Sequence, residues 1–254
     1  MLRSFSYVLL ITWLLLTISC KTTFVITNLT GENVSISDSV NTVDSQLVDM
    51  YLPYKMILEK DMSRVISTTG KEMDKDKPES KLTNFLADLL LEEGKIEAKA
   101  EKLNFAPQIS YFNYGGIRTS LPKGDITVGK IYELMPFENE MVFVQFSGRQ
   151  VQEFFNAIAA KGGDSVGGAK FLISGEKAKN VQVSGENLSP DKNYWLVTND
   201  YIANGGDGMT VFTQSEKLVN TGKKIRDVII SYLEKKQKEG VQIIAQPDGR
   251  IKNE

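Results

Sequence analysis

Two stretches of this chain bring together residue types suited to gripping a flat or anionic small molecule. In the first, residues 109–140, alternating Ile109 and Tyr111 read as a strand that breaks into Asn113, Tyr114, Gly115 and Gly116, with Arg118 just beyond. Paired glycines permit positive φ and close backbone approach to a ligand. Successive N–H groups in such a turn form an anion-binding nest, and Arg118 adds a planar, permanently charged fork. Leu121-Pro122-Lys123-Gly124-Asp125 is a turn, and Met135-Pro136-Phe137-Glu138-Asn139 puts an aromatic and an amide on a loop. The second stretch is Asp200-Tyr201-Ile202-Ala203-Asn204-Gly205-Gly206-Asp207-Gly208. Its glycines, flanked by Asn and Asp, force a tight loop that exposes backbone, with Tyr201 offering an aromatic face. Two ordinary turns with a surface salt bridge, and a Gly-rich turn with a half-buried tyrosine, would account for the same residues.

The motifs NYGGIR, LPKGDIT, LMPFENE and DYIANGGDGMTVF, in that order, resemble the carboxy-terminal domain of the 5′-nucleotidase family. The resemblance covers residues 44–254 and not the first forty or so. It implies an α+β domain of four layers, α/β/β/α, that holds the nucleoside part of the substrate. A separate amino-terminal metallophosphatase domain then carries two metal ions and cleaves the phosphate. By the same resemblance Phe137 and Tyr201 clamp the base between two rings, a contact worth ~1–3 kcal/mol per base. Asn139 reads the edge of the base, and Asp207 accepts hydrogen bonds from the ribose hydroxyls. An ionised carboxylate can only accept, which suits a diol that donates. Asn113 and Arg118 reach the sugar and phosphate side, where a bidentate cation matches an anion. Where some family members carry a ligand-contacting arginine, this chain has Lys77 and Lys81.

Composition limits the chemistry. The chain has 254 residues, enough for one large domain or two small ones, and 41% hydrophobic with 24% charged residues suits a soluble globular fold. A formal net charge of −2 provides no basic field for nucleic acid, and a single cysteine excludes an internal disulfide framework. There is no histidine. Dinuclear phosphoesterase sites combine imidazole with carboxylates, and both Ser-His-Asp and Cys-His catalysis need the same ring. An all-oxygen Mg²⁺ or Ca²⁺ site stays open, although no calcium-loop spacing is present. None of the singled-out residues is a nucleophile or general base, so they bind. We expect no catalytic residue, metal or cofactor in this chain. The expected partners are a nucleotide or nucleoside ligand and a separate metallophosphatase chain that holds divalent metals. The alternatives are a non-catalytic nucleoside- or nucleotide-binding surface lipoprotein, and a domain kept for structure with an idle pocket.

Elements to position these residues can be read in order. Residues 1–20 form a leader: Arg3 gives a positive n-region, followed by a short apolar run. Thr17-Ile18-Ser19-Cys20 resembles a bacterial lipoprotein cleavage box, with Cys20 the lipidation site. This predicts an exported protein lipid-anchored to a membrane of the bacterial cell envelope. A plain secretory signal or an uncleaved anchor are the alternatives. Residues 21–43 form a tether or short hairpin, and residues 44–254 the domain. Within it, Leu47, Met50, Tyr51, Tyr54, Ile57 and Leu58 predict a packed helix, capped by Asp44 or Ser45 and interrupted or started by Pro53. The 5′-nucleotidase resemblance makes this the helix that links the two domains. Ser80 predicts the cap of a second helix, ended by Gly94. Residues 141–146 read as a strand buried on both faces, followed by a helix from Ser147. Residues 161–169 read as a connecting loop, residues 171–173, 180–184 and 194–198 as strands, 223–238 as a helix, and 241–244 as a short strand.

Overall fold

The computed structural model describes residues 44–254, together with residues 31 and 33. The leader, Cys20 and the tether at 21–43 lie outside the described residues. Residues 49–254 fall in a single unit.

Helix α1 (Ser45–Met62) is followed by β1 (Val65–Thr69), α2 (Lys81–Ala100), β2 (Ile109–Phe112), β3 (Gly124–Thr127), α3 (Val128–Leu134) and β4 (Glu140–Ser147). Then come α4 (Gly148–Ala160), β5 (Ser165–Gly167), β6 (Ala169–Ser174), β7 (Lys177–Val183), β8 (Glu186–Asn187) and β9 (Asn193–Asn199). The chain closes with α5 (Asp200–Ala203), β10 (Lys217–Lys224), α6 (Ile225–Lys238) and β11 (Ile251–Asn253). The central sheet has the order β10-β4-β9-β2-β5, a second sheet runs β11-β6-β7-β8, and β1 pairs with β3. This is the mixed α and β architecture expected, with sheets packed against helices.

Strand β4 shows why the molecule is layered. Its side chains alternate between two cores: Met141 and Phe143 join one, Val142, Val144 and Phe146 the other. The first core also takes Leu82, Leu86 and Leu89 of α2 and Ile229 and Leu233 of α6. The second takes Phe154, Phe155 and Ile158 of α4 together with Phe171 and Val181 of the four-stranded sheet. An unbroken apolar strand is stable only where both faces are covered, and here they are. Both amphipathic helices start where predicted. Ser80 and Ser147 form capping boxes with Thr83 and Gln150, satisfying amide groups that the first turn leaves open.

Pairing within the central sheet sets the position of the candidate residues. β2 and β9 are parallel, with Ile109 opposite Leu196, so both strands end on the same edge. β4 runs antiparallel to β9, with Met141 opposite Asn199, so its beginning lies on that edge too. The loops after β2, before β4 and after β9 therefore converge.

Several expectations are corrected. Helix α1 is not packed: none of its residues is buried, and Leu47, Met50, Tyr51, Tyr54, Ile57 and Leu58 are 48–75% exposed. It runs through Pro53 as one element, with the Asp44 carboxylate accepting from the Gln46 and Leu47 amides. Gly94 does not end α2, which continues to Ala100. It lies where the helix crosses β9, and a Cβ there would meet the Val197 side chain at 3.0 Å. Residues 161–169 are not only a loop, because β5 pairs with β2 through Ser110–Gly167 and Phe112–Ser165. Residues 241–244 form no strand, only a single bridge from Ile243 to Thr69.

Asp164, just before β5, is buried, with Tyr111 donating its hydroxyl to Oδ2 at 3.0 Å and the Ser165 amide donating to Oδ1 at 2.8 Å. Burial pushes its carboxyl up from 3.8 to about 6, while those hydrogen bonds, Lys77 and Lys161 oppose the rise. Because the folded value is the higher one, the stabilisation is full below about pH 4 and is lost as pH rises through about 6. The difference corresponds to roughly 3 kcal/mol at ~1.4 kcal/mol per tenfold change. Denaturant unfolding at pH 4 and pH 7 should show Asp164→Asn removing most of that loss relative to the wild type. An unchanged pH profile in Asp164→Asn would refute this account.

Candidate functional site

All six residues singled out from the sequence meet on one cavity. It has a volume of about 310 Å³ and is lined by Asn113, Gly115, Gly116, Arg118, Phe137, Asn139, Tyr201 and Asp207. Phe137 is 47% and Tyr201 46% exposed, so neither ring is sealed in the core.

The turn after β2 differs from the expected nest. Tyr114–Gly116 is a 3₁₀ turn, and neither Gly115 nor Gly116 takes positive φ. Gly116 is needed for space instead: a Cβ would sit 2.8 Å from the Oδ1 of Asn113. Asn113 is buried, accepts from the Nδ2 of Asn199 at 3.2 Å and donates its own Nδ2 to the Asp207 carboxylate at 2.7 Å. Arg118 is exposed at the rim. It spends one N–H on the Gly115 carbonyl at 3.2 Å, which aims the guanidinium across the turn.

The Phe137 loop is fastened from β10 and α6. The Ile225 amide donates to the Asn139 carbonyl at 2.9 Å, and Lys224 to the Glu138 carbonyl at 3.0 Å. Arg226 is buried, donates to the Pro136 carbonyl at 3.3 Å, pairs with the Glu138 carboxylate, and lies 3.9 Å over the Tyr132 ring. The loop after β9 starts as α5, whose first turn is capped by Asn199 accepting from the Ile202 amide at 2.8 Å. Asp200 accepts from the Tyr201 amide at 2.9 Å and from the Glu140 amide at 3.1 Å, tying the two aromatic loops to each other. Beyond it, Gly205, Asp207 and Gly208 do take positive φ. Sequence reasoning missed Asn199, Asp200 and Arg226. Asp200 stands inside the second motif with no role marked, and an amide or charged residue outside the motifs, such as Asn199 or Arg226, carries no mark of its own.

Beside Arg118 on the cavity lining, lysines gather around the Tyr114 turn and the backbone of Asp207. Lys75 donates to the carbonyl of Tyr114 at 3.1 Å and its ammonium lies 4.3 Å over the Tyr114 ring, with Lys77 at 5.1 Å. Lys161 donates to the Asp207 carbonyl at 2.6 Å. Partial burial, and then the neighbouring Arg118, hold the Lys75 ammonium below its ordinary value. Among the described residues no group of three or more Asp, Glu, Cys or His is arranged to hold a metal ion. The site thus offers two aromatic faces, an amide, an acceptor carboxylate and a cationic rim.

Comparison with known proteins identifies the family of the domain. The chain is 28% identical over 211 residues to a 5′-nucleotidase of Vibrio parahaemolyticus, covering 80% of this chain and 36% of that protein. It is 33% identical over 178 residues to Protein UshA of Yersinia enterocolitica, covering 68% of this chain and 31% of the relative. The chain thus spans about a third of the length of these relatives. Among solved structures, a 5′-nucleotidase precursor from Thermus thermophilus superposes with a TM-score of 0.67 at 28% identity, over 83% of this chain and 43% of that one. Residues 62–214 match the profile of the 5′-nucleotidase C-terminal domain, and the chain belongs to that family.

Proposed function

We propose that this chain is the nucleoside- and nucleotide-binding half of a split 5′-nucleotidase. The observation that carries the proposal is that Asn113, Arg118, Phe137, Asn139, Tyr201 and Asp207 share one cavity. A nucleobase is a flat plate, and two half-exposed rings anchored by backbone hydrogen bonds hold it with little entropy to lose. Asn139 meets the base edge, Asp207 accepts from the sugar hydroxyls, and Arg118 with the lysine rim faces the phosphate. Titration with adenosine or AMP, followed by Tyr and Trp fluorescence, is expected to saturate. Phe137→Ala and Tyr201→Ala should each weaken binding by ~1–3 kcal/mol. Absence of binding at millimolar ligand would leave the domain a structural one.

Bond cleavage is assigned to a separate metallophosphatase chain that supplies the divalent metals, since this sequence has no histidine and the cavity lining holds no Ser, Cys or Lys. The family match begins at residue 62, where α1 ends, and the family's description places the domain at the carboxyl end of its proteins. The exposed stripe of Leu47, Met50, Tyr51, Tyr54, Ile57 and Leu58 is then the surface on which the partner docks. The pure chain with Mn²⁺ or Zn²⁺ should release no phosphate from AMP, and a photo-crosslinker at Tyr54 should trap, in cells, a chain with metallophosphatase motifs. Robust turnover by the pure chain overturns the split arrangement. A crosslink to a second copy, or to nothing, overturns the docking surface and favours non-catalytic capture of nucleosides.

The leader places this pair at the bacterial cell envelope, held to a membrane by acyl chains on Cys20. The mass of the detergent-extracted mature protein should include a diacylglyceryl-modified Cys20, and an unmodified Cys20 removes the anchor.

A further inference from the structure

Tyr201 brings more than a flat face to the cavity. Its hydroxyl donates to the Oδ1 of Asp207 at 2.8 Å and accepts from the Asp207 amide at 3.1 Å. On the other oxygen, Oδ2, Asn113 donates its Nδ2 at 2.7 Å. Each carboxylate oxygen therefore has one donor supplied by the protein. A carboxylate offers roughly four lone-pair sites, so about one remains on each oxygen. The ring itself is backed by Gly206, where a Cβ would fall 2.5 Å from a ring carbon. Asp207 is also one of the few described non-glycine residues with positive φ, at 51°, a conformation that needs its surroundings to hold it.

We propose that the Tyr201 hydroxyl is a positioning group for the sugar acceptor. It locks Asp207 so that one free lone pair on each oxygen faces the cavity, an arrangement matched to the vicinal 2′,3′-diol of a ribonucleoside. The aromatic platform and the sugar acceptor then form one preorganised unit, and a single hydroxyl couples base stacking to sugar selection. This inference rests on the nucleoside-binding reading above. A phenylalanine at this position would stack equally well. Without the hydroxyl, the Asp207 side chain is held only through Asn113 and loses its fixed aim, and ordering it becomes a cost of binding.

The test is calorimetric binding of adenosine and of 2′,3′-dideoxyadenosine to the full chain and to Tyr201→Phe, with thermal melts to show that both fold. Tyr201 is half exposed, so loss of its hydroxyl leaves the core intact. The wild type should prefer adenosine by at least roughly tenfold, because a site built to hydrogen-bond hydroxyls rejects an analogue lacking them. In Tyr201→Phe that ratio should fall below about threefold. A ratio in the variant within about twofold of the wild type, or no preference in the wild type, overturns the inference while leaving nucleoside binding standing. A wild type that binds neither ligand overturns both. A general loosening of the loop would weaken both ligands together and leave the ratio unmoved, so the ratio isolates the hydroxyl.

Discussion

The site depends on the parallel pairing of β2 with β9. Had these strands been antiparallel neighbours, Asn113 and Tyr201 would leave the sheet at opposite ends. Because Ile109 lies opposite Leu196 and both strands run the same way, their carboxyl ends finish together. Open α/β sheets present ligands at the carboxyl ends of their parallel strands for the same reason. The antiparallel neighbour β4 then contributes the loop before it, so three separate stretches of sequence supply one cavity. A register slip of one residue between β2 and β9 would invert every side chain across the two cores. Burial of Tyr111 and Leu196 on one side and of Phe112 and Val197 on the other makes such a slip costly.

Rigidity is passed from this frame to the cavity through polar groups. Asn199 is the last residue of β9 and fully buried, and its two ends serve different purposes. The oxygen caps α5, while the nitrogen holds Asn113, which in turn holds Asp207. The relay runs from a buried strand end to an exposed carboxylate. Asp200 and Arg226 do the same for the Phe137 loop, from opposite flanks. Satisfied buried amides such as Asn113 and Asn199 specify one geometry, because any alternative leaves a donor or acceptor unpaired in a low-dielectric setting.

What could be read from sequence divides along a physical line. The capping serines at 80 and 147 and the doubly buried strand at 141–146 were legible, because caps and hydrophobic periodicity are local signals. The six cavity residues were legible through motifs, each recognisable in its own segment. What escaped depends on distant contacts. Gly94 looked like a helix end and is instead a site of close approach to Val197. Gly115 and Gly116 looked like an anion nest and instead leave room for Asn113 and Asp207. Strands β5 and β10 carry little pattern of their own and form because the edges of the central sheet are open to them. Helix α1 has a stripe at helical spacing that reads as a packed face, and periodicity cannot say whether the surface it would cover is present in the same chain.

Charge distinguishes holding a phosphate from cleaving it. Lys75, Lys77, Arg118 and Lys161 gather around the turn after β2 and the backbone of Asp207. At Lys75, partial burial first and the neighbouring Arg118 second hold the ammonium below its ordinary value, and an arriving anion relieves the part that comes from Arg118. A phosphate held here, as proposed above, would be coupled to the field already present. Hydrolysis needs a further element, a nucleophile activated and aligned behind the phosphorus, and the cavity lining holds one carboxylate but no His, Cys, Ser or Lys. The one carboxylate there, Asp207, already accepts from Tyr201 and Asn113. On the nucleotide-binding reading proposed above, these groups would hold a bound ground state, and the transition state would fall to groups outside the cavity.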